Sequence, residues 1–314
     1  MDITDDIRRY FRNSSPVVTL GNFDGVHIGH QKIFAAVVEK AGWIKGRPVA
    51  ITFDPHPVKV LMPERGLRLI TSADDKAGLI FNSDIKDIVC VDFNKDFAQT
   101  DAEDFINDII IGLIGAKWVI VGHNYTFGRA KKGDAGLLRK IGKKCGFEVS
   151  VVRYVKLHGE IVSSSRVRSA VLGGRIPDVS KMLGRAYHFE GTVVKGAGRG
   201  ASLLDTPTAN IATENELIPK EGVYAVRVSF KDRLYDGVAN IGKNPTFKDS
   251  VMSYEVHIFD YHKNLLNERL RVHFVDRLRD EKRFGCIEDL VAQIKKDIES
   301  AKKVLRKNNP PLYF

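Results

Sequence analysis

The amino-acid sequence predicts two units of different class. Residues 1–186 read as a parallel α/β sheet of Rossmann-like type, and residues 187–314 as a six-stranded antiparallel barrel closed by a C-terminal helix. Three observations carry that reading. At 314 residues the chain is long for a single core. As far as Val152, apolar strand-like runs alternate with amphipathic helical patterns, as β–α–β units require. Beyond Phe189 the apolar period drops to two, and short runs follow one another between polar turns.

In the first half, strands are expected near Val17–Asn22, Val49–Phe53, Asp87–Phe93, Trp118–Gly122 and Phe147–Val152. Helices are expected near Gln31–Ala41, Ser72–Asn82, Ala102–Ile114 and Gly136–Cys145, with Thr100 and Glu103 at capping-box spacing before the third. Ligands of such sheets bind beyond the carboxyl ends of the strands, where the strand order reverses. Between Gly173 and Phe189 the pattern loosens, which sets the boundary near residue 186. In the second half the expected strands are Phe189–Val194, Thr208–Ala212, Tyr224–Phe230, Leu234–Ile241, Ser253–Tyr261 and Leu270–Leu278, followed by a helix over Ile287–Val304.

Composition narrows the classes. Hydrophobic residues make up 43% and charged residues 28%, ordinary for a globular protein. Cys90, Cys145 and Cys286 are too few and too widely spaced for a disulfide framework or a cysteine-based zinc site, which fits a reducing compartment. The acidic opening Met1-Asp-Ile-Thr-Asp-Asp has no apolar signal core, and no apolar run reaches the ~20 residues of a membrane span, so a cytoplasmic location is expected. The net charge of +10 suits a nucleic-acid binder and an enzyme of polyanionic nucleotides equally, so charge alone decides nothing.

The motif around which the chain is organised is Gly21-Asn22-Phe23-Asp24-Gly25-Val26-His27-Ile28-Gly29-His30, between an apolar strand and a helix start. Free N–H groups and the helix dipole attract phosphate at such a place. His27 and His30 lean the same way on a first helical turn and can donate to phosphoryl oxygens as charge builds. Two exposed histidines on an ordinary turn are the plainer alternative. Thr52-Phe53-Asp54-Pro55-His56-Pro57 reads as a rigid apolar wall or as a strand-ending turn. Gly122–Asp134 mixes aromatics with cations, suited to a planar ring and phosphates or to a solvated basic loop. Ser163-Ser164-Ser165-Arg166-Val167-Arg168 opens a short helix to Leu172, as caps or as phosphate ligands.

In the second half, Lys195–Gly200 is a flexible glycine loop, a weak signal alone. Thr208 and Asn210 place a hydroxyl and an amide oxygen on one side of a strand, hard donors suited to Mg²⁺ on nucleotide phosphates. Glu255 and His257 lie opposite the core positions Val256 and Ile258, and Glu255 has the chemistry of a general base for a hydroxyl nucleophile. A solvated strand face is the alternative for both.

The first motif resembles the His-x-Gly-His signature of the nucleotidyltransferase superfamily. The ordered set resembles the bacterial bifunctional riboflavin kinase/FAD synthetase family over nearly the whole chain, with Asn240–Phe247 matching its Asn-Ile-Gly-x-x-Pro-Thr-Phe. The resemblance implies phosphorylation of riboflavin to FMN, then adenylylation of FMN to FAD with release of pyrophosphate. It gives His27, His30, Asn124, Ser164 and Arg168 to ATP, with Gly21, Phe23, Gly29 and Ser165 beside them, and Gly196 and Gly198 to ATP in the second half. Pro55, Pro57 and Phe127 are implied at the flavin of the first site, and Arg279, Glu281 and Phe284 at that of the second. Thr208 and Asn210 are implied to hold Mg²⁺, and Glu255 to activate the ribityl 5′-hydroxyl. One departure is Leu204-Asp205-Thr206, where the family reads Leu-Gly-Phe, so an impaired kinase half stays open, as does a flavin- or nucleic-acid-binding regulator on the same fold. The expected partners are the small molecules riboflavin, FMN and ATP, with no nucleic acid and no membrane, for a monomer or weak oligomer.

Overall fold

The computed structural model describes residues 3–195, 208–243 and 252–313. Its two compact units divide between Ser163 and Ser164, whereas the sequence reading sets the boundary at 186.

In the first unit, β1 (Val17–Leu20), β2 (Pro48–Asp54), β3 (Asp87–Asp92), β4 (Trp118–Gly122) and β5 (Glu148–Val152) form an all-parallel sheet. The order is β3-β2-β1-β4-β5, so the direction of winding reverses at β1. Every residue of β1 is buried, which explains its continuous apolar run. Among the described residues of this unit, six α-helices accompany the sheet: α1 (Ile3–Phe11), α2 (Ile28–Trp43), α3 (Pro57–Leu61), α4 (Ala73–Phe81), α5 (Ala102–Phe105) and α6 (Ala135–Cys145). Helix α2 buries Ile33, Phe34, Val37 and Ala41, the stripe that its 3.6-residue spacing requires. Ser72 caps α4 by accepting from the Asp75 N–H at 3.1 Å, and Asp134 caps α6 by accepting from the Leu137 N–H at 2.9 Å. A short hairpin, β6 (Lys156–Leu157) with β7 (Glu160–Ile161), follows β5.

Two local expectations are corrected. The capping box at Thr100 is not formed: Asp101 is the N-cap of α5, without a side-chain cap bond. Thr100 instead closes a 3₁₀ turn over Phe97–Gln99, and its carbonyl accepts from the Arg129 N–H at 2.9 Å. The helix expected over 102–114 changes to π-helical winding from Ile106 to Leu113. Ile106 and Ile110 are fully buried in one cluster with Phe105, Val119 and Val121.

The second unit opens with α7 (Ser164–Leu172) and α8 (Ile176–Leu183). The loosened pattern between Gly173 and Phe189 is therefore an ordered helix, whose Ile176, Val179 and Leu183 are fully buried. Helix α8 packs on two barrel strands, which is why the division falls before it. Strands β8 (Tyr187–Val194), β9 (Thr208–Ala212), β10 (Gly222–Phe230), β11 (Arg233–Lys243), β12 (Met252–Ile258) and β13 (Arg269–Arg279) close an antiparallel barrel in the order β10-β11-β12-β9-β8-β13. Its interior is aromatic: Tyr187, Phe189 and Tyr224 are fully buried, each in ring contact with the buried Phe274. Helix α9 (Ile287–Lys307) lies outside, with Ala301 and Leu305 against Val223, Ala225, Val238 and Val275. Arg227 fixes its end by donating to the Leu305 carbonyl at 2.9 Å and to Asn309 Oδ1 at 2.6 Å, satisfying a terminal acceptor of the helix.

Candidate active sites

The first site is built where β1 ends. From Gly21 to His27 the chain turns from the carboxyl end of the central strand into α2, and His27 is the N-cap of that helix. Its Nδ1 accepts from the His30 N–H at 3.3 Å, and the two imidazoles stack with centroids 3.6 Å apart and planes at 18°. No carboxylate sits in the first turn of α2, so the positive end of its dipole is left for an anion. Burial, and then the proximity of His27, push the His30 pKa well below the usual imidazole value, so His30 is neutral near pH 7. Its Nδ1 is buried without a hydrogen-bond partner. Gly29 leaves room for the stack, since a Cβ there would stand 3.0 Å from both Cε1 and Nδ1 of His27 and press on the ring.

The turn is strained. Phe23 at φ 50° and Val26 at φ 40° occupy the left-handed region, which is costly for any side chain and most of all for a β-branched one. Phe23 anchors the turn by edge-to-face contacts with His30 at 5.3 Å and Phe34 at 4.8 Å. Asp24 is buried, and its Oδ1 accepts from the Ile70 and Thr71 N–H groups at 3.0 and 3.3 Å. A cleft beside the turn is lined by Asn22, Asp24, Asp54, His56, Thr71 and Lys76, among others.

The motifs that follow β2 and β4 fall at the same end of the sheet, as parallel topology demands. After β2, Pro55 is exposed and Pro57 opens α3, with His56 as its N-cap accepting from the Val58 N–H at 3.2 Å. The wall and the turn are thus one feature. Lys76 is buried and donates to the Phe53 carbonyl at 3.0 Å, holding the end of β2. After β4, the strand next to β1, Asn124 is exposed. Phe127 is instead only 7% exposed: its ring stacks on Tyr125 and tilts against Phe105, continuing an aromatic row through Phe97 to Phe53. The ring that the sequence offers to a flavin is largely committed to this core. Ser164, Ser165 and Arg168 occupy the first turns of α7, in the second unit.

The second site is a product of strand register. In the β9–β12 ladder Asn210 faces Glu255 and Thr208 faces His257. In the β11–β12 ladder Asn240 faces Glu255 from the other side. Asn210, Glu255 and Asn240 therefore form one polar row across three strands, on the face away from the buried Ala209, Ile211, Val256 and Ile258. Ser253 donates to Glu255 Oε1 at 3.2 Å. Asn240 is the member that no spacing rule singles out, because its neighbours in the row come from other strands.

At the end of β13, Glu281 lies over Gly242, where a Cβ would overlap its carboxylate. Phe284 is half-buried nearby in sequence. Arg279, expected at the flavin, has a partner on the closing helix. Its Nη2 donates to Asp297 Oδ2 at 2.7 Å, its Nε lies 3.0 Å from Asp297 Oδ1, and its Nη1 donates to the Asp280 carbonyl at 2.9 Å. Its guanidinium clasps α9 to the barrel through Asp297. Asp297 is buried and also accepts from Gln293 Nε2 at 2.9 Å. The expected residues Gly196 and Gly198, the segment Leu204–Thr206 and the stretch from Asn244 to Phe247 lie outside the described residues.

These two sites coincide with two family models. One described as FAD synthetase matches residues 11–166, and one described as riboflavin kinase matches residues 183–305. A protein of Buchnera aphidicola named bifunctional riboflavin kinase/FMN adenylyltransferase is 33% identical over 91% of this chain and 92% of its own. A protein of the same name from Escherichia coli is 31% identical over 94% of each. The chain belongs to the bifunctional riboflavin kinase/FMN adenylyltransferase family. A crystal structure from Streptococcus pneumoniae, titled as a macrolide-efflux protein, is 32% identical, covers 92% of this chain and 94% of its own, and superposes with a TM-score of 0.86. Among the described residues of the present family member, no helix is long and apolar enough to cross a membrane.

Proposed function

We propose that this protein phosphorylates riboflavin to FMN on its barrel and adenylylates FMN to FAD on its parallel sheet, with ATP as the second substrate of both steps. The observation that carries the reading is the coexistence of both sites in one chain: stacked His27 and His30 at a helix terminus, and Glu255 set between Asn210 and Asn240. In this reading the adenylylating half takes in residues 1–186, so it includes α7 although that helix clusters with the barrel.

In adenylyl transfer the FMN phosphate attacks the α-phosphorus of ATP, forming one P–O bond while the bond to pyrophosphate breaks. No protein nucleophile is needed, and positioning with charge stabilisation carries the rate. The α2 terminus and the two imidazoles meet the triphosphate at its reacting end. Asn124, Ser164, Ser165 and Arg168 supply further donors and positive charge to the nucleotide, while Pro55 and Pro57 border the flavin.

In the kinase step Glu255 takes the proton of the ribityl 5′-hydroxyl as that oxygen attacks the γ-phosphorus and ADP leaves. Ser253 donates to the carboxylate, and Asn240 stands opposite Glu255 in the ladder. Thr208 and Asn210 fit a divalent cation in their chemistry, since both are hard neutral oxygen donors. Among the described residues no cluster of three or more His, Cys, Asp or Glu could hold a metal by itself. Such a donor set suits Mg²⁺ that arrives with the nucleotide, and when bound it would neutralise phosphate charge. Glu281 and Phe284 border the isoalloxazine ring in this reading.

The test is direct. The protein is incubated with riboflavin, ATP and Mg²⁺, and the flavins are resolved chromatographically over time. The expected result is FMN followed by FAD. FAD from added FMN with no FMN from riboflavin would show an impaired kinase half, and the absence of both products would refute the reading.

A further inference from the structure

We propose that Asp24 is a positioning residue for adenylyl transfer: tied to residues 70 and 71, it fixes the strained turn from which His27 and His30 are presented. This inference rests on the assignment of that turn to ATP.

Phe23, Gly25 and Val26 all have positive φ, at 50°, 80° and 40°. A turn holding two side-chain-bearing residues in that region needs an external restraint to stay there. Asp24 supplies it from the middle of the turn. It is 3% exposed, and its Oδ1 accepts from the Ile70 N–H at 3.0 Å, the Thr71 N–H at 3.3 Å and the Thr71 hydroxyl at 3.4 Å. The same Thr71 hydroxyl oxygen accepts from the Gly25 N–H at 3.2 Å, closing a ring of bonds around the turn. Gly25 also lies flush on this segment, because a Cβ there would be 2.9 Å from Ile70 Cδ1.

The restraint passes to the imidazoles through a short path. Gln31 of α2 donates to the Val26 carbonyl at 2.9 Å, so the end of the turn is tied to the first turns of the helix. The next residue is His27, whose ring lies over His30. Losing the Asp24 anchor frees Val26 to relax toward negative φ, which rotates the peptide leading into His27. Displacements near 1 Å at reacting groups cost about a hundredfold in rate. Burial of the carboxylate against backbone donors gives it the role of a fastener.

The test uses the full chain and three variants: Asp24→Ala, Asp24→Asn and Thr71→Ala. Steady-state kcat and KM for FMN adenylylation are measured alongside riboflavin phosphorylation by the same preparations. The expected outcome for Asp24→Ala is an adenylylation kcat lower by about fiftyfold, with KM for FMN within about threefold and riboflavin phosphorylation within about twofold of the unaltered protein. Asp24→Asn keeps an acceptor oxygen and should recover at least part of the loss, and Thr71→Ala should fall by about tenfold. An unchanged adenylylation kcat in Asp24→Ala would overturn the inference, as would equal losses in the Ala and Asn variants. Should Asp24→Ala fail to fold, unchanged kcat in both Asp24→Asn and Thr71→Ala would overturn it. If the unaltered protein makes no FAD from FMN, the assignment of the site fails first and this inference falls with it.

Discussion

The two sites are assembled by opposite means. The sheet site stands on a turn whose backbone lies in disfavoured conformations at Phe23 and Val26 and is secured by residues 46 and 47 positions away. The barrel site stands on regular strands, where pairing alone brings Asn210, Glu255 and Asn240 into one row. A site on a strained turn can aim backbone N–H groups and a helix dipole at one point, and depends on each fastener that keeps the turn in place. A site on paired strands is held by many ladder bonds at once, and depends on register.

The largest expected effects separate the two chemistries. His30→Ala should lower FAD formation from FMN by about a thousandfold or more while riboflavin phosphorylation persists. Glu255→Ala should do the converse, lowering FMN formation by ~10²–10⁴-fold with FMN still converted to FAD. Equal loss of both activities in either variant would break the division between sheet and barrel. Gly29→Ala sharpens the claim about the turn, since its new methyl would press on the His27 ring. We expect adenylylation slower by about tenfold or more with little change in thermal stability; an unchanged rate would show that the stack can shift without cost.

Next comes the clasp of the barrel. Arg279 and Asp297 have side-chain exposures of 16% and 8%, and removing one partner strands a buried charge. Asp297→Ala should therefore destabilise the barrel by about 3 kcal/mol, read as earlier thermal loss of kinase activity while adenylylation outlasts it. A variant with kinase stability like that of the parent would restore Arg279 as a candidate flavin ligand.

The smallest effect concerns pH. His273 is fully buried, with its Nε2 2.6 Å from the Ser229 hydroxyl. Burial, and then the nearby His188, hold its pKa down at about 3, against about 6.5 unfolded. Between those values the unfolded chain binds the extra proton, so this residue's contribution to stability is complete above about pH 6.5 and declines toward pH 3. Urea unfolding of the barrel at pH 7 and pH 5.5 should differ by about 1 kcal/mol more in the unaltered protein than in His273→Gln. Identical pH slopes would remove His273 from the account.

Much of this architecture was legible along the chain because it depends on local periodicity. β4 and β9 match the expected Trp118–Gly122 and Thr208–Ala212, and α7 ends at the expected Leu172. Alternation alone placed Val256 and Ile258 inside and Glu255 outside. Helix α8 escaped because Gly173, Gly174 and Pro177 break the pattern that surrounds it, and its apolar stripe is only two turns long. The partners of Asp24 and Arg279 escaped for a different reason: a contact across 46 positions, or one between a strand and a later helix, has no spacing to read.

The residues alone determined the two fold classes, the strand–turn–helix setting of the histidine pair, and which face of β12 carries the carboxylate, because each follows from the order of apolar and polar groups over a dozen positions. Only the tertiary structure decided that Phe127 belongs largely to an aromatic core, that Arg279 is bound to Asp297, and that Asp24 holds the turn. Those outcomes depend on which distant groups meet when the chain becomes compact. A buried ring or charge takes whatever partner satisfies it there, and that partner is set by the packing of whole elements.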